Sequence, residues 1–253
     1  MISKNQISFI QSLHLKKYRD KHQLFIAEGI KTVMELVNAM PQVINELYAE
    51  NDFISSNHIL LKNNNIKTIE INETELKKIS LQSTPNKVLA ICNFFNNKPV
   101  NFNFDANFTF YLDDVRDPGN FGTIIRLANW YGINTIFCSP NSCDFYNPKV
   151  IQASMGAFLR VNCNYINLSE LLQTQNVKNV YGCLLNGNNL YKQQLKPGLI
   201  IIGNEANGIH QNNLNKITCP LTIPAAVNNG TESLNAAIAA SIVISEFYRQ
   251  ITN

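Results

Sequence analysis

Charge is what this sequence is shortest of. Of its 253 residues, 21 are Lys or Arg and 18 are Asp or Glu, leaving a formal balance of +3. With 45% apolar residues, so little charge excludes an intrinsically disordered chain. A nucleic-acid partner is allowed by that balance and not demanded by it. Paired metal ligands are missing too. The six cysteines (92, 138, 143, 163, 183, 219) form no CxxC, and the four histidines (14, 22, 58, 210) are scattered, so no metal site is expected. Reduced, buried thiols in a cytoplasmic protein fit that usage. Long apolar runs are absent as well: "AAIAASIVI" is too short to span a bilayer, and "MISKNQISF" has neither the apolar core nor the cleavage site of a signal peptide. A soluble protein without membrane contact is expected. Finally, no GxGxxG follows a strand, which argues against a dinucleotide or class-I methyl-donor site. "GNEANGIH" at 203–210 has the GxxxxG spacing, but Ile209 and His210 stand where a phosphate loop needs Lys and Ser/Thr.

What is present is an alternation of strands and helices. Residues 1–97 read as a small α/β unit. "SFIQSLHLKKYRDKH" is helical, "LFIAEG" a strand and "IKTVMELVNAM" a helix. "INELYAE", "HILLK" and "IKTIEI" are short strands, "NETELKKIS" is a helix capped by Asn72, and "KVLAICNF" is a closing strand. Residues 98–107, rich in Asn and containing Pro99, read as a linker. From 108 to 253 strand and helix alternate again, with runs such as "LIII" that indicate a parallel sheet buried on both faces. The chain is therefore expected to be α/β throughout.

Parallel sheets bind ligands at the carboxyl ends of their strands, and three loops stand there. The first, "DDVRDPGNFGTIIR" (113–126), concentrates charge around a turn. Asn120 can cap a helix starting near Phe121, and Arg126 is either exposed or paired in a site. Arg116 can pair with Asp113 or Asp114. The second loop places Glu205 just past Leu199–Ile202, as a cap, a surface residue or a site acid. The third, "IPAAVNNGTESLNAAIAAS", puts Thr231 or Ser233 at the start of an Ala-rich helix, with Glu232 near its N-terminus. That helix can pack closely on its own sheet or on a partner. Near the start of the chain, Lys4, Lys16, Lys17, Arg19 and Lys21 face only Asp20, as a solvated helix face or a contact for a polyanion.

Taken together and in this order, the loops resemble the SpoU/TrmH family of RNA ribose 2′-O-methyltransferases of the SPOUT class. The resemblance rests on Asn120-Phe-Gly122-Thr-Ile-Ile-Arg126, on "IIIGNEANGI" with Gly203, Glu205 and Gly208, and on Ile223-Pro224 followed by Ser233-Leu234-Asn235. "LKKYRDKHQLFIAEGIKTVMELV" and "STPNKVLAI" resemble the family's ribosomal-protein-like substrate-binding domain. The segment between Pro224 and Ser233 is longer than the family pattern.

The resemblance implies a SPOUT domain at 108–253 with a deep trefoil knot, a homodimer, and S-adenosylmethionine as cofactor. It implies cofactor contacts at Gly203, Ile223 and Leu234, with Leu185 or Asn186 as a further pair of candidates. Arg126 would contact the nucleophile, Asn120 would position it and Glu205 would orient them. Ser233 and Asn235 would complete the pocket, while Arg116, Lys16, Lys17 and Arg19 would meet RNA. The implied reaction is methyl transfer to a ribose 2′-hydroxyl of structured RNA, ribosomal in preference to transfer RNA. A non-catalytic RNA-binding protein retaining the fold is the alternative. Whether Arg126 relays a proton through a phosphate or stabilises developing alkoxide charge stays open.

Overall fold

The computed structural model describes residues 2–95, 101–226 and 233–252. In chain order the first elements are α1 (Lys4–Ser12), α2 (Lys16–His22), β1 (Leu24–Glu28), α3 (Ile30–Ala39) and β2 (Ile44–Ala49). Next come α4 (Asn51–Asn63), β3 (Thr68–Glu70), α5 (Glu73–Ile79), β4 (Val88–Asn93), β5 (Phe108–Leu112), α6 (Pro118–Trp130) and β6 (Thr135–Cys138). They are followed by α7 (Pro148–Ser154), β7 (Asn162–Tyr165), α8 (Leu168–Thr174) and β8 (Val180–Asn189). The chain ends with β9 (Gly198–Ile202), α9 (Gln211–Leu214), β10 (Cys219–Thr222) and α10 (Ala236–Thr252).

Two compact units result, one from residues 1–96 with 144–159, the other from 97–143 with 160–253. In the first, a four-stranded sheet runs β1-β4-β2-β3; only β2 and β3 are parallel. Ile10, Leu13, Ile26, Tyr48, Leu76 and Ile91 fill the core on one side of it. The single helix expected over 8–22 is instead two, because the chain turns at 13–15 and Leu13 enters the core fully buried. "HILLK", expected as a strand, is the last part of α4. Its apolar run hid the wider spacing of the buried Phe53 and Leu61, two turns apart on one helical face. Asn72 caps α5 as expected, accepting from the Glu75 backbone while the Glu75 side chain returns to Asn72.

Residues 144–159, read from sequence as part of the second domain, belong with the first unit. The Tyr146 ring stacks on Phe94 at 3.9 Å and its hydroxyl donates to the Phe95 carbonyl at 2.7 Å. Phe158 packs edge-on to Phe25. Asp144 accepts from the Arg19 guanidinium at 2.6 Å. Four aromatic rings and one buried ion pair are thus shared with a segment more than fifty residues further along the chain.

The second unit is built on a six-stranded, wholly parallel sheet in the order β10-β8-β9-β5-β6-β7. All five residues of β9 are buried, which is why "GLIII" carries no polar alternation. The first residues of the expected linker, 98–100, lie outside the described residues. Phe102 and Phe104, in its second half, pack on Phe137 and so belong to this unit's core. The strand order reverses between β5 and β9, and a crevice opens where loops leave adjacent strands in such a place.

Candidate active site

The loop after β5 turns sharply at Asp114, whose φ of 57° lies in the left-handed region. The strain is held by polar contacts. Ser139 Oγ donates to the Asp114 carboxylate at 2.7 Å, the Asp114 amide donates back to Ser139 Oγ at 2.9 Å, and Arg116 donates at 2.9 Å. Burial acts to raise the Asp114 carboxyl, yet the hydrogen bonds from Ser139 and Arg116 hold it below its ordinary value. The Arg116 pair was one of the two expected alternatives, and its guanidinium is otherwise exposed.

Asp117, not Asn120, caps α6: its side chain accepts from the Asn120 amide at 2.7 Å, with Pro118 at the first helical position. Such a cap is worth about 1 kcal/mol. It also releases the Asn120 side chain from local duty. That side chain instead reaches the other two loops. Its Nδ2 donates to Glu205 Oε1 at 2.8 Å, and its Oδ1 accepts from Asn235 Nδ2 at 2.8 Å. Asn235 is the residue that caps α10, its Oδ1 accepting from the amides of Ala237 at 2.9 Å and Ile238 at 3.3 Å. Ser233, one of the two expected caps, is exposed two residues earlier; Thr231 and Glu232 lie outside the described residues. One continuous chain of hydrogen bonds therefore joins Glu205, Asn120, Asn235 and the start of α10.

The Glu205 loop is pinned from beneath. Asp113, 2% exposed at the end of β5, accepts from the His210 amide at 2.8 Å and from Asn213 Nδ2 at 3.0 Å. Asn204 Nδ2 donates to the Asp114 carbonyl at 2.8 Å, while its Oδ1 accepts from the Ala206 and Asn207 amides. Asn204 and Gly208 pair across the turn. A Cβ on Gly203 would lie 2.3 Å from the Gly208 carbonyl carbon, so no side chain fits there. Asn204 and Ser139 were not singled out from the sequence, and Asp113 was read only as a possible partner of Arg116. Asp113 lay within the quoted motif, but nothing in a string of residues tells an acid that anchors a distant loop from one facing solvent.

The remaining expected residues divide. Leu185 and Asn186 are exposed in an irregular stretch of β8, and the Leu185 carbonyl accepts from Thr222 Oγ1 at 3.0 Å, one residue before Ile223 in the chain. A Cβ on Gly187 would come within 2.6 Å of the Leu221 backbone, where the pairing of β8 and β10 shifts register. Leu234 is 45% exposed next to Asn235. Arg126 is exposed on α6 and makes no hydrogen bond or ion pair among the described residues. In the first unit, Lys16 pairs with Asp20 at 2.8 Å. Arg19 departs from its expected place among RNA-facing groups: it is 1% exposed and donates to Asp144 and to the carbonyls of Leu13 and His14. No cluster of His, Cys, Asp or Glu suited to a metal occurs among the described residues.

The chain is similar to proteins of known sequence and structure. The 23S rRNA (guanosine(2553)-2'-O)-methyltransferase RlmP of Bacillus subtilis is 27% identical over 248 residues, covering 96% of each chain. The solved structure of a TrmH-family protein of Porphyromonas gingivalis is 35% identical and covers 99% of both chains, with a TM-score of 0.82. An AdoMet-bound rRNA methyltransferase from Sinorhizobium meliloti is 25% identical, covers 99% of this chain and 97% of its own, and superposes with a TM-score of 0.84. Residues 4–90 match the MRM3-like substrate binding domain. The SpoU rRNA Methylase family matches residues 107–245, and all three loops joined through Asn120 fall inside that span; the chain belongs to this family.

Proposed function

We propose that the protein transfers a methyl group from S-adenosylmethionine to a ribose 2′-hydroxyl of ribosomal RNA in the cytoplasm. The observation that carries this reading is the fixed amide of Asn120. Glu205 takes one of its N–H groups and Asn235 takes one oxygen lone pair, so the orientation of the amide is set before any ligand arrives. The free N–H and lone pair face a ribose hydroxyl as donor and acceptor. The cofactor supplies an already activated methyl group, leaving alignment and proton removal to the protein.

The chain's own groups fit such a cofactor. Leu185, 71% exposed and bonded through its carbonyl to Thr222, offers apolar surface for a purine ring, and the Gly203 backbone approach leaves main-chain groups to hold polar edges. Leu234 adds apolar surface next to Asn235, and Ser233 a hydroxyl. A trefoil knot in this part of the chain goes with the SpoU family match over residues 107–245. Arg126 contributes by stabilising developing negative charge on the 2′-oxygen, with Arg116 meeting phosphate.

Arg126 does not serve the Asn120 of its own chain. Six helical residues place it about 120° around α6 and about 9 Å along the axis from Asn120. It shares the solvent face instead with Thr123 and Trp130, the latter 82% exposed. Ile238 and Tyr248 on α10 are 51% and 42% exposed, and Tyr131 packs against Tyr248, so the two helices present one partly apolar face. A homodimer covers that face and carries each Arg126 to the partner's Asn120. Incubation with methyl-labelled S-adenosylmethionine and ribosomal RNA tests the activity: alkali-resistant label at one ribose supports it. Cofactor binding without transfer to ribosomal or transfer RNA would instead indicate a binding protein.

A further inference from the structure

The first unit distributes its charge unevenly. One cavity is lined by Glu50, Asp52, Glu70, Glu73 and Glu75. Three of the lysines elsewhere on the unit are neutralised in pairs, Lys67 with Glu46, Lys77 with Glu73 and Lys87 with Asp52, while Lys4, Lys31 and Lys62 are exposed singly on other helices. On α2 the only acid, Asp20, is taken by Lys16. Lys17 and Lys21, one turn apart, are exposed and make no ion pair among the described residues.

Helical phase decides what stands beside them. At about 100° per residue, Arg19 points inward, the Lys17–Lys21 row points outward, and Tyr18 and His22 lie between the two. The His22 ring meets Phe9 of α1 edge-on, with centroids 5.2 Å apart and an interplanar angle of 78°. Phe9 is 37% exposed and His22 is exposed. The Lys17 ammonium lies 6.0 Å from the Tyr18 ring centroid. Leu15, in the turn between the helices, is 60% exposed. A row of free cations flanked by exposed rings is the pairing that binds unpaired nucleotides: cations track the phosphates and ring faces take the bases.

We propose that the α1–α2 face, through Lys17, Lys21, Phe9 and His22, binds a single-stranded stretch of the substrate RNA. This rests on the reading that the substrate is RNA, and it specifies which surface of the first unit meets it and in what form. The acidic cavity disfavours the same polyanion, and what sets α2 apart is that its free lysines stand beside the exposed rings of Phe9 and His22. Arg19, on the inner face of that helix, holds it in place through Asp144 and contributes nothing to the contact.

The test is binding of a labelled ribosomal RNA fragment, single-stranded and as a duplex, across a salt series. For the Lys17→Gln/Lys21→Gln double variant, the slope of log affinity against log salt should shrink by about 1.4. Phe9→Ala should weaken single-strand binding about tenfold, Phe9→Trp should retain it, and duplex binding should change little in either. S-adenosylmethionine affinity should be unaltered in all of them, and Lys67→Gln should behave as wild type. An unchanged salt slope in a variant of an enzyme that still binds and methylates RNA would overturn the surface while leaving the reaction standing. Equal losses on duplex and single strand would overturn the stacking role. A loss seen only on assembled ribosomal particles would assign the face to a protein partner and overturn the proposal. No RNA binding and no transfer by the wild type would remove the reaction and this inference together.

Discussion

Two inactive variants should restore one another. Asn120 is fixed at both ends, to Glu205 and Asn235 at 2.8 Å each, so it cannot swing toward a distant residue. Arg126 lies about 9 Å further along α6 and about 120° around it, on the face where Trp130 is 82% exposed. If the reacting hydroxyl sits on Asn120, the guanidinium that stabilises it comes from a second subunit. Asn120→Ala and Arg126→Ala homodimers should each lose on the order of 10²–10³ in turnover, the scale of removing one donor to a developing oxyanion. A heterodimer carrying one of each, isolated by two different affinity tags, contains one site with both residues and one with neither. Its rate should be about half that of the wild-type dimer, because a two-fold symmetric assembly has two equivalent sites. Were Arg126 to act within its own chain, both sites of the heterodimer would lack a residue. Activity at the level of the two parents would therefore refute the argument. A monomeric wild type in sedimentation would do the same.

Two further outcomes bear on the frame around the site. Asp144→Ala leaves the 1%-exposed Arg19 without its carboxylate and should cost about 3–5 kcal/mol in urea unfolding, whereas Arg19→Met with Asp144→Leu should recover most of it; a cost below about 1 kcal/mol would show the pair to be dispensable. The hydrogen bond from Arg249 holds the Glu246 carboxyl at about 2, against an ordinary 4.5. A depressed acid stabilises the fold above its unfolded value, so the stability gap between wild type and Glu246→Gln should be constant above pH 5. It should narrow below 4.5 and close near 2, and a gap that widens in acid would contradict the assignment.

The alternation of strands and helices was legible because most strands of the parallel sheet are short and apolar, as in β5, β6 and β9, and α6 and α7 between them begin at side-chain caps. What periodicity could not convey was pairing across long separations. Nothing local marks Tyr146 as the partner of Phe94 or Asp144 as the partner of Arg19, so the packing of a sixteen-residue segment with the first unit was not foreseen and a buried arginine was read as an RNA contact. The caps show the same limit at shorter range. Asn120 and Ser233 have the right chemistry for helix N-termini, yet Asp117 and Asn235 hold those positions. Residue type names several candidates within a turn, and only the geometry of the loop selects one.

The displacement of those two caps is what makes the site. An Asn that capped α6 would spend its side-chain oxygen on a backbone amide of its own helix and could not span to Asn235. By giving that duty to Asp117, the turn frees both ends of the Asn120 amide for the other two loops. Asn235 does the reverse, spending its oxygen on the α10 amides and keeping its N–H groups for Asn120. The polarity of the chain is then fixed in one direction, from the α10 terminus through two amides to the Glu205 carboxylate. Reversing any member would set donor against donor or acceptor against acceptor. Aspartate at position 120 would face the Glu205 carboxylate with a second one. The requirement for an amide there follows from its two neighbours before any substrate is considered.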